Sequence, residues 1–310
     1  MADFAAPLSA PAAPPAPAFD HPADFYQVRD FGQKWEAAAQ LLRRHGRPLL
    51  LALLCFVLPL LLLSLIVQTY GVSFLKNWTD NPQPVSSFSR ATWMYMGVAY
   101  AGLALRLLAG TLATSLVYGL LRQLLAAAEA REPVQPSVRD IWRAAPLGRY
   151  LLQSLGASLL LMLGLLLLLF PGLYVLAASV LLPGVLSFER RGLGRAFELM
   201  KGASWSTLGV ALIPIGVSLA FLWLPQLLIS RLVGQEVLPT SPLWVYGLRA
   251  ALVLVELVLH PAIDVMQGFH YFSLVEARES TGLAWRALIL GQQPAPPAPT
   301  PDDSRYVPLY

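Results

Sequence analysis

The stretch ELVLHPAIDVMQGFHY, residues 256–271, places titratable side chains inside a long apolar run. Glu256, His260 and Asp264 follow one another at intervals of four residues, so on an α-helix they share one face within an arc of about 80°. Arg249 falls on the same face. His260 would lie about 6 Å and Asp264 about 12 Å beyond Glu256 along the helix axis. A polar stripe of this kind inside an apolar helix is typical of a functional or a paired site.

Three roles are open for this stripe. The first is structural pairing: Arg106 lies in another apolar segment at nearly the same depth as Glu256, which predicts a buried ion pair that Arg249 can share. The second is a proton relay for transport, because carboxylates and histidines in apolar surroundings can exchange protons near neutral pH. The third is a metal site, which would need a further ligand from another helix.

The composition indicates a protein that lives in a membrane. Hydrophobic residues make up 56% of the 310 residues, charged residues make up 13%, and the mean hydropathy is +0.57. Those values are too apolar for a soluble protein of this length. The single cysteine, Cys55, excludes an internal disulfide, and the scattered basic residues form no nucleic-acid-binding stripe. We therefore expect an all-α polytopic membrane protein with no nucleic acid partner.

Six segments approach the length of about 20 residues that a spanning helix needs. They are residues 48–68, 93–121, 150–170, 173–188, 206–230 and 243–268. The fourth is the shortest, and the adjacent Pro171-Gly172 predicts a tight reversal before it. With both termini in the cytoplasm, 17 of the 22 lysines and arginines lie on the cytoplasmic side. The positive-inside rule therefore predicts six spans with both ends of the chain in the cytoplasm.

A short amphipathic segment precedes each span that leaves the cytoplasm. The first segment has an apolar face of Phe31, Trp35, Ala38 and Leu42, and Lys34 points elsewhere. The second segment follows a predicted N-cap at Ser137. The third segment covers 193–200, and Arg195 faces away from its apolar side. Basic amphipathic helices lie among lipid headgroups and attract anionic lipid. The predicted lipid-surface anchors are Trp35, Arg43, Arg44, Trp142, Arg143, Arg195, Lys201 and Trp205. The pattern suggests three units of interfacial helix plus hairpin, either as an internal repeat or by chance.

The two ends of the chain differ in composition from the part between them. Residues 1–28 and 289–310 are rich in Pro and Ala and predict disordered tails around a membrane domain of residues 29–288.

The segment LPGVLSFERRGLGRAFELMKGASWSTLG, residues 182–209, resembles the bacterial membrane proteins grouped as the glycerophosphoryl diester phosphodiesterase membrane domain. The similarity rests on Pro183, Glu189, Leu193, Arg195, Leu199, Lys201, Gly202 and Trp205, with weaker likeness at 29–50 and 271–279. Ala196 and Ser273 depart from the residues expected there, Ser and Asp. The resemblance implies a multi-helix membrane module in the cytoplasmic membrane of a bacterium, without the family's soluble catalytic barrel.

Catalytic signatures are missing from the sequence: it has no Walker A loop, no G-x-S-x-G elbow and no H-E-x-x-H pair. We expect a non-enzymatic protein without cofactors that acts in lipid-surface or envelope organisation or as a scaffold for protein partners. The alternative is a small proton-coupled permease or exporter that uses the polar stripe of the sixth span.

Overall fold

The computed structural model describes residues 19–79, 85–133, 136–167, 169–220, 224, 227 and 242–292, and this part of the chain is all helix, turn and loop. The helices are α1 Pro22–Phe25, α2 Phe31–Phe56, α3 Leu58–Thr79, α4 Val85–Ala130, α5 Val138–Ala144, α6 Leu147–Leu167, α7 Leu169–Gly184, α8 Leu193–Met200, α9 Ser204–Ser218, α10 Pro242–Glu279 and α11 Thr281–Gln292. A π-helical turn, Val185–Glu189, continues α7. The expected all-α class is confirmed for these residues.

Helix α10 is central to the bundle. It contacts α2, α3, α4, α7, α8 and α9. It is buried throughout residues 263–275, where Phe269 and Phe272 are fully buried and Tyr271 is 1% exposed. The densest core therefore surrounds the end of α10, beside the start of α2.

Four described segments are long and apolar enough to cross a bilayer: Phe31–Gln68, Thr92–Ala130, Leu147–Gly164 and Phe170–Glu189. These segments support a membrane location for the chain. A count of six spans is not confirmed, since α9 is a shorter apolar helix and residues 228–241 lie outside the described part.

Pro171-Gly172 does not form the predicted reversal between α6 and α7. Helix α7 begins at Leu169, so Pro171 and Gly172 lie inside its first turn, where the missing proline N–H is tolerated. A Cβ on Gly164 would lie 2.9 Å from the Cα of Gly172, so α6 and α7 approach backbone to backbone. The fourth apolar segment thereby gains length and covers 20 residues, Phe170–Glu189.

The first amphipathic segment is not a separate interfacial helix. Helix α2 runs without a break from Phe31 to Phe56. Asp30 caps it, because its carboxylate accepts a 2.7 Å hydrogen bond from the backbone N–H of Gln33. The prediction for its apolar face is wrong in register: Phe31 is 52% exposed, whereas Lys34 is 8% exposed. The helix turns Lys34 inward because α10 offers a polar partner there.

The second and third amphipathic segments form the separate helices α5 and α8. The predicted N-cap of α5 is confirmed, since the Asp140 amide donates to Ser137 Oγ over 3.3 Å. Helix α5 lies directly on α4, where a Cβ on Gly119 would meet the Ile141 carbonyl oxygen at 2.6 Å. The glycine is needed for this close approach.

The predicted boundary of the N-terminal tail at residue 28 is wrong. Phe19 and Phe25 are 5% and 0% exposed, and the Phe25 ring lies 5.7 Å from that of Phe272. Both aromatic side chains fall within the predicted disordered tail, but their burial anchors 19–28 to α10. At the other end, α11 continues to Gln292, beyond the predicted limit of the membrane domain. Residues 1–18 and 293–310, the rest of both predicted tails, lie outside the described part.

Candidate functional site

The polar stripe of α10 faces α4, and its first contact is the predicted ion pair. Arg106 Nε donates to Glu256 Oε1 over 3.3 Å, and Arg106 Nη2 donates to Glu256 Oε2. The Glu256 side chain is 13% exposed and that of Arg106 is 36% exposed. The pairing is therefore confirmed, although the guanidinium is less enclosed than predicted.

A second contact between the same helices lies two turns further along. Thr114 Oγ1 donates to Asp264 Oδ2 over 3.0 Å, and the two residues are 6% and 5% exposed. Both contacts join residues 150 positions apart, which shows that α4 and α10 run parallel at this contact. Sequence reasoning missed Thr114, although its spacing of eight residues from Arg106 matches the spacing of Asp264 from Glu256.

Between these two contacts, His260 borders a small cavity. The cavity has a volume of about 20 Å³, and Gly110, Glu256 and Pro261 also line it. A space of this size holds about one water molecule. Arg249 lies two turns before Glu256 on α10 and is half-buried.

A metal site along the stripe finds no support in the described part of the chain. Within these residues no three His, Cys, Asp or Glu side chains are grouped closely enough to hold a metal ion. Asp264 bonds to a hydroxyl and Glu256 to a guanidinium. The described stripe is thus organised by pairing between α4 and α10.

A separate buried polar chain joins α2, α10 and α9. Lys34 Nζ lies 3.1 Å from His270 Nδ1, and His270 Nε2 lies 3.1 Å from Thr207 Oγ1. Thr207 donates its own proton to the Ala203 carbonyl over 2.9 Å, so it accepts the Nε2 proton of His270. His270 Nδ1 is then the acceptor for the Lys34 ammonium.

Arg29 fastens the segment before α2 to α10. Its Nη1 donates to the Phe25 carbonyl over 2.9 Å, and its guanidinium lies 5.0 Å from the centre of the Phe269 ring. Its amide donates to Ser273 Oγ over 3.3 Å. Burial removes water from the guanidinium and lowers the pKa of Arg29 to about 10.

The Arg195 side chain is 14% exposed and pairs with three carboxylates, so its predicted outward orientation is wrong. Its Nε donates to Glu189 Oε2 over 2.5 Å, a second nitrogen pairs with Glu279, and a third lies 3.5 Å from Glu198. Tyr271 also donates to Glu189, over 2.9 Å. One guanidinium thus joins the π-helical turn, α8 and the end of α10.

The remaining predicted lipid anchors lie at the surface to different degrees. Trp205 is 81% exposed, whereas Trp142 is 38% exposed and stacks on Phe56 with ring centres 4.3 Å apart. Trp35 is half-buried and contacts Phe31 edge to face. The exposed charged anchors are Arg43, Arg44, Arg143 and Lys201. Arg44 lies 3.5 Å from the carboxylate of Asp20, so part of its charge is compensated.

Comparison with known proteins adds no assignment. No protein-family model, curated protein or solved structure matches the chain. The resemblance to the glycerophosphoryl diester phosphodiesterase membrane domain and the roles of the site residues therefore stay predictions.

Proposed function

We propose that this chain is a non-enzymatic multi-pass membrane protein that organises the anionic lipid surface at one end of its helical bundle, alone or with protein partners. The proposal places six spans in a bacterial cytoplasmic membrane, with both termini in the cytoplasm. It includes the resemblance to the membrane-domain family as a structural module without a catalytic barrel.

The observation that carries the proposal is the contrast between the two sets of charged groups. Along the stripe, Glu256 pairs with Arg106 and Asp264 accepts a bond from Thr114, beside a cavity of only about 20 Å³. At the end of the bundle, several cations are exposed instead. These are Arg43, Arg47, Arg143, Arg149, Arg190 and Arg191.

Exposed arginines at the edge of an apolar bundle suit a lipid surface. Each basic residue near an anionic leaflet contributes about 1 kcal/mol of attraction. Exposed Trp142 and Trp205 accompany these arginines, and tryptophan favours the interface between headgroups and acyl chains. The positive-inside rule assigns this end to the cytoplasm.

The alternative, a proton-coupled permease, depends on the half-buried His260 and the buried Asp264. These groups titrate in a transport path only if water reaches them from both sides. The small volume of the cavity beside His260, about 20 Å³, supports structural pairing over such a path.

Reconstitution tests the proposal against this alternative. The purified protein is placed in vesicles of phosphatidylglycerol and phosphatidylcholine, and a pH-sensitive dye inside the vesicles reports proton entry under an imposed gradient. Native mass spectrometry of the same preparation measures which lipid stays bound. We expect retained phosphatidylglycerol and no proton entry above that of empty vesicles. Proton entry that Glu256→Gln abolishes would replace the proposal by the permease.

A further inference from the structure

Four arginines from separate segments converge on one cleft at the end of the bundle. The cleft has a volume of about 430 Å³ and lies between α4, α5, the start of α6 and the end of the π-helical turn. Small-molecule sites have volumes of about 300–1,000 Å³. The arginines that line it are Arg122, Arg143, Arg149 and Arg190.

The positive charge of this cleft is not compensated by its surroundings. No aspartate or glutamate lines it. Among the described residues, none of the four guanidiniums forms an ion pair or a hydrogen bond. Four like charges around one space repel each other and create a strong field that favours an anion. Arginine forks match the oxygen geometry of phosphate in particular.

The backbone that carries these arginines is firmly held. Helix α5 rests on α4 at Gly119, and its Trp142 stacks on Phe56, so the backbone of the neighbouring Arg143 is held against the bundle. Arg190 ends the π-helical turn in the left-handed conformation, with φ of 55°. The preceding Glu189 is tied to Tyr271 and Arg195. The backbone around the cleft therefore belongs to elements that are docked on the bundle.

The start of α6 adds donors to the same cleft. Leu147 and Gly148 line it, and they belong to the first turn of a helix of 21 residues. Amide groups in the first turn have no partner within the helix and attract anions. They complement the four arginines.

The mouth of the cleft adjoins an apolar surface. One to two turns beyond Arg149, α6 exposes Leu152 by 73% and Leu155 by 55%. A phosphate in the cleft thus lies beside a face suited to acyl chains.

We propose that this four-arginine cleft binds a phosphate-bearing anion, supplied by the headgroup of an anionic lipid whose chains lie along α6. The site rests on the proposed function and deepens it, because it gives the lipid surface one defined binding place.

Two double variants with the same loss of charge test the site. Arg143→Gln/Arg190→Gln removes two arginines of the cleft, whereas Arg139→Gln/Arg191→Gln removes two exposed neighbours that do not line it. The full-length proteins in a neutral detergent are titrated with phosphatidate, and native mass spectrometry gives the bound fraction. We expect the cleft variant to bind about tenfold more weakly or worse, and the control to change by less than about threefold.

Competition identifies the source of the phosphate. If phosphatidate binds and an excess of inorganic phosphate does not displace it, the ligand is a lipid, as expected. If inorganic phosphate displaces it completely, the site stands but its ligand is a free phosphate. Equal weakening in both double variants, or none in either, would overturn the cleft. A wild-type protein that prefers no anionic lipid over phosphatidylcholine overturns the proposed function as well, so the two failures are distinguishable.

A variant that keeps the charge guards against a simple folding defect. Arg143→Lys/Arg190→Lys retains both cations but loses their paired donors. We expect binding between that of the wild type and that of the glutamine variant, with an unchanged melting temperature. Wild-type affinity in this variant would show that general charge, and not the built cleft, attracts the lipid.

Discussion

Lys34 Nζ and His270 Nδ1 lie 3.1 Å apart where α2 meets α10, although their positions are separated by 236 residues. Lys34 is 8% exposed and forms no ion pair with any described residue. The imidazole is therefore its principal buried acceptor. A contact of this kind joins the first long helix, α2, to the last long one, α10.

Removing the imidazole should leave this ammonium without its acceptor. We expect His270→Leu to lower the free energy of unfolding by about 2–4 kcal/mol, because a buried charge loses its hydrogen bond. The double variant Lys34→Met/His270→Leu should recover most of that loss, since both polar partners are then replaced by apolar groups. Thermal unfolding in detergent measures both changes. Equal or larger destabilisation in the double variant would contradict the pairing.

Arg195 should stabilise the protein by joining Glu189, Glu198 and Glu279. We expect Arg195→Gln to lower the free energy of unfolding by about 2–4 kcal/mol, because the carboxylates then repel one another without a shared cation. Arg191→Gln is the control, since Arg191 is exposed nearby. Denaturant titration measures the free energy of unfolding of the two variants. An equal, small loss in both would show that Arg195 is an exposed surface anchor and not a structural link.

Gly184 should tolerate no larger side chain. A Cβ there would lie 2.6 Å from the ring of Tyr271, so Gly184→Ala forces α7 away from α10 at a cost of about 1–3 kcal/mol. Gly209→Ala, in α9, meets no atom within 4 Å and should be neutral or stabilising by up to about 1 kcal/mol. Melting temperatures compare the two alanine variants. Similar values would show that α7 and α10 are not packed this closely.

Ser273 should hold the segment 19–28 in place. Its hydroxyl donates to the Gln27 carbonyl over 2.9 Å and accepts the Arg29 amide. Ser273→Ala leaves both groups without this partner, and amide hydrogen exchange in 19–30 should become about tenfold faster. Ser154→Ala, which removes only a bond to the Leu151 carbonyl within α6, is the control. Unchanged exchange in Ser273→Ala would show that the aromatic contacts suffice.

The sequence predicts the α4–α10 contact well. Helical periodicity determines which residues share a face, and the distance from the predicted edge of a span determines how deep each residue lies in the bilayer. Glu256 and Arg106 each lie about 13 residues from the same predicted edge, and an unpaired charge in an apolar segment needs a partner. The second contact, Thr114 to Asp264, escaped notice because a threonine in a membrane helix is common and carries no charge. Thr114 and Asp264 are 150 positions apart, as are Arg106 and Glu256, and this equal separation is the signal that predicts the second contact.

Other features depend on packing that periodicity does not determine. Lys34 and Arg195 look like solvated faces of amphipathic helices, yet each is enclosed by groups that are distant in sequence, His270 in one case and Glu279 in the other. The burial of Phe25 likewise depends on the end of α10. The arginine cleft is formed by four segments that meet only in the folded chain, so helical periodicity within any one segment does not predict it.

We expect the polar stripe of α10 to act as a structural pairing and not as a proton path. A thermodynamic cycle of wild type, Arg106→Gln, Glu256→Gln and the double variant, measured by thermal unfolding in lipid nanodiscs, tests it most directly. We predict that each single change lowers the free energy of unfolding by about 1–3 kcal/mol and that the double change recovers at least about 1 kcal/mol of the sum. Additive losses of stability would contradict the pairing of Arg106 with Glu256. A Glu256→Gln variant that keeps wild-type stability but loses a proton-dependent flux would contradict it as well.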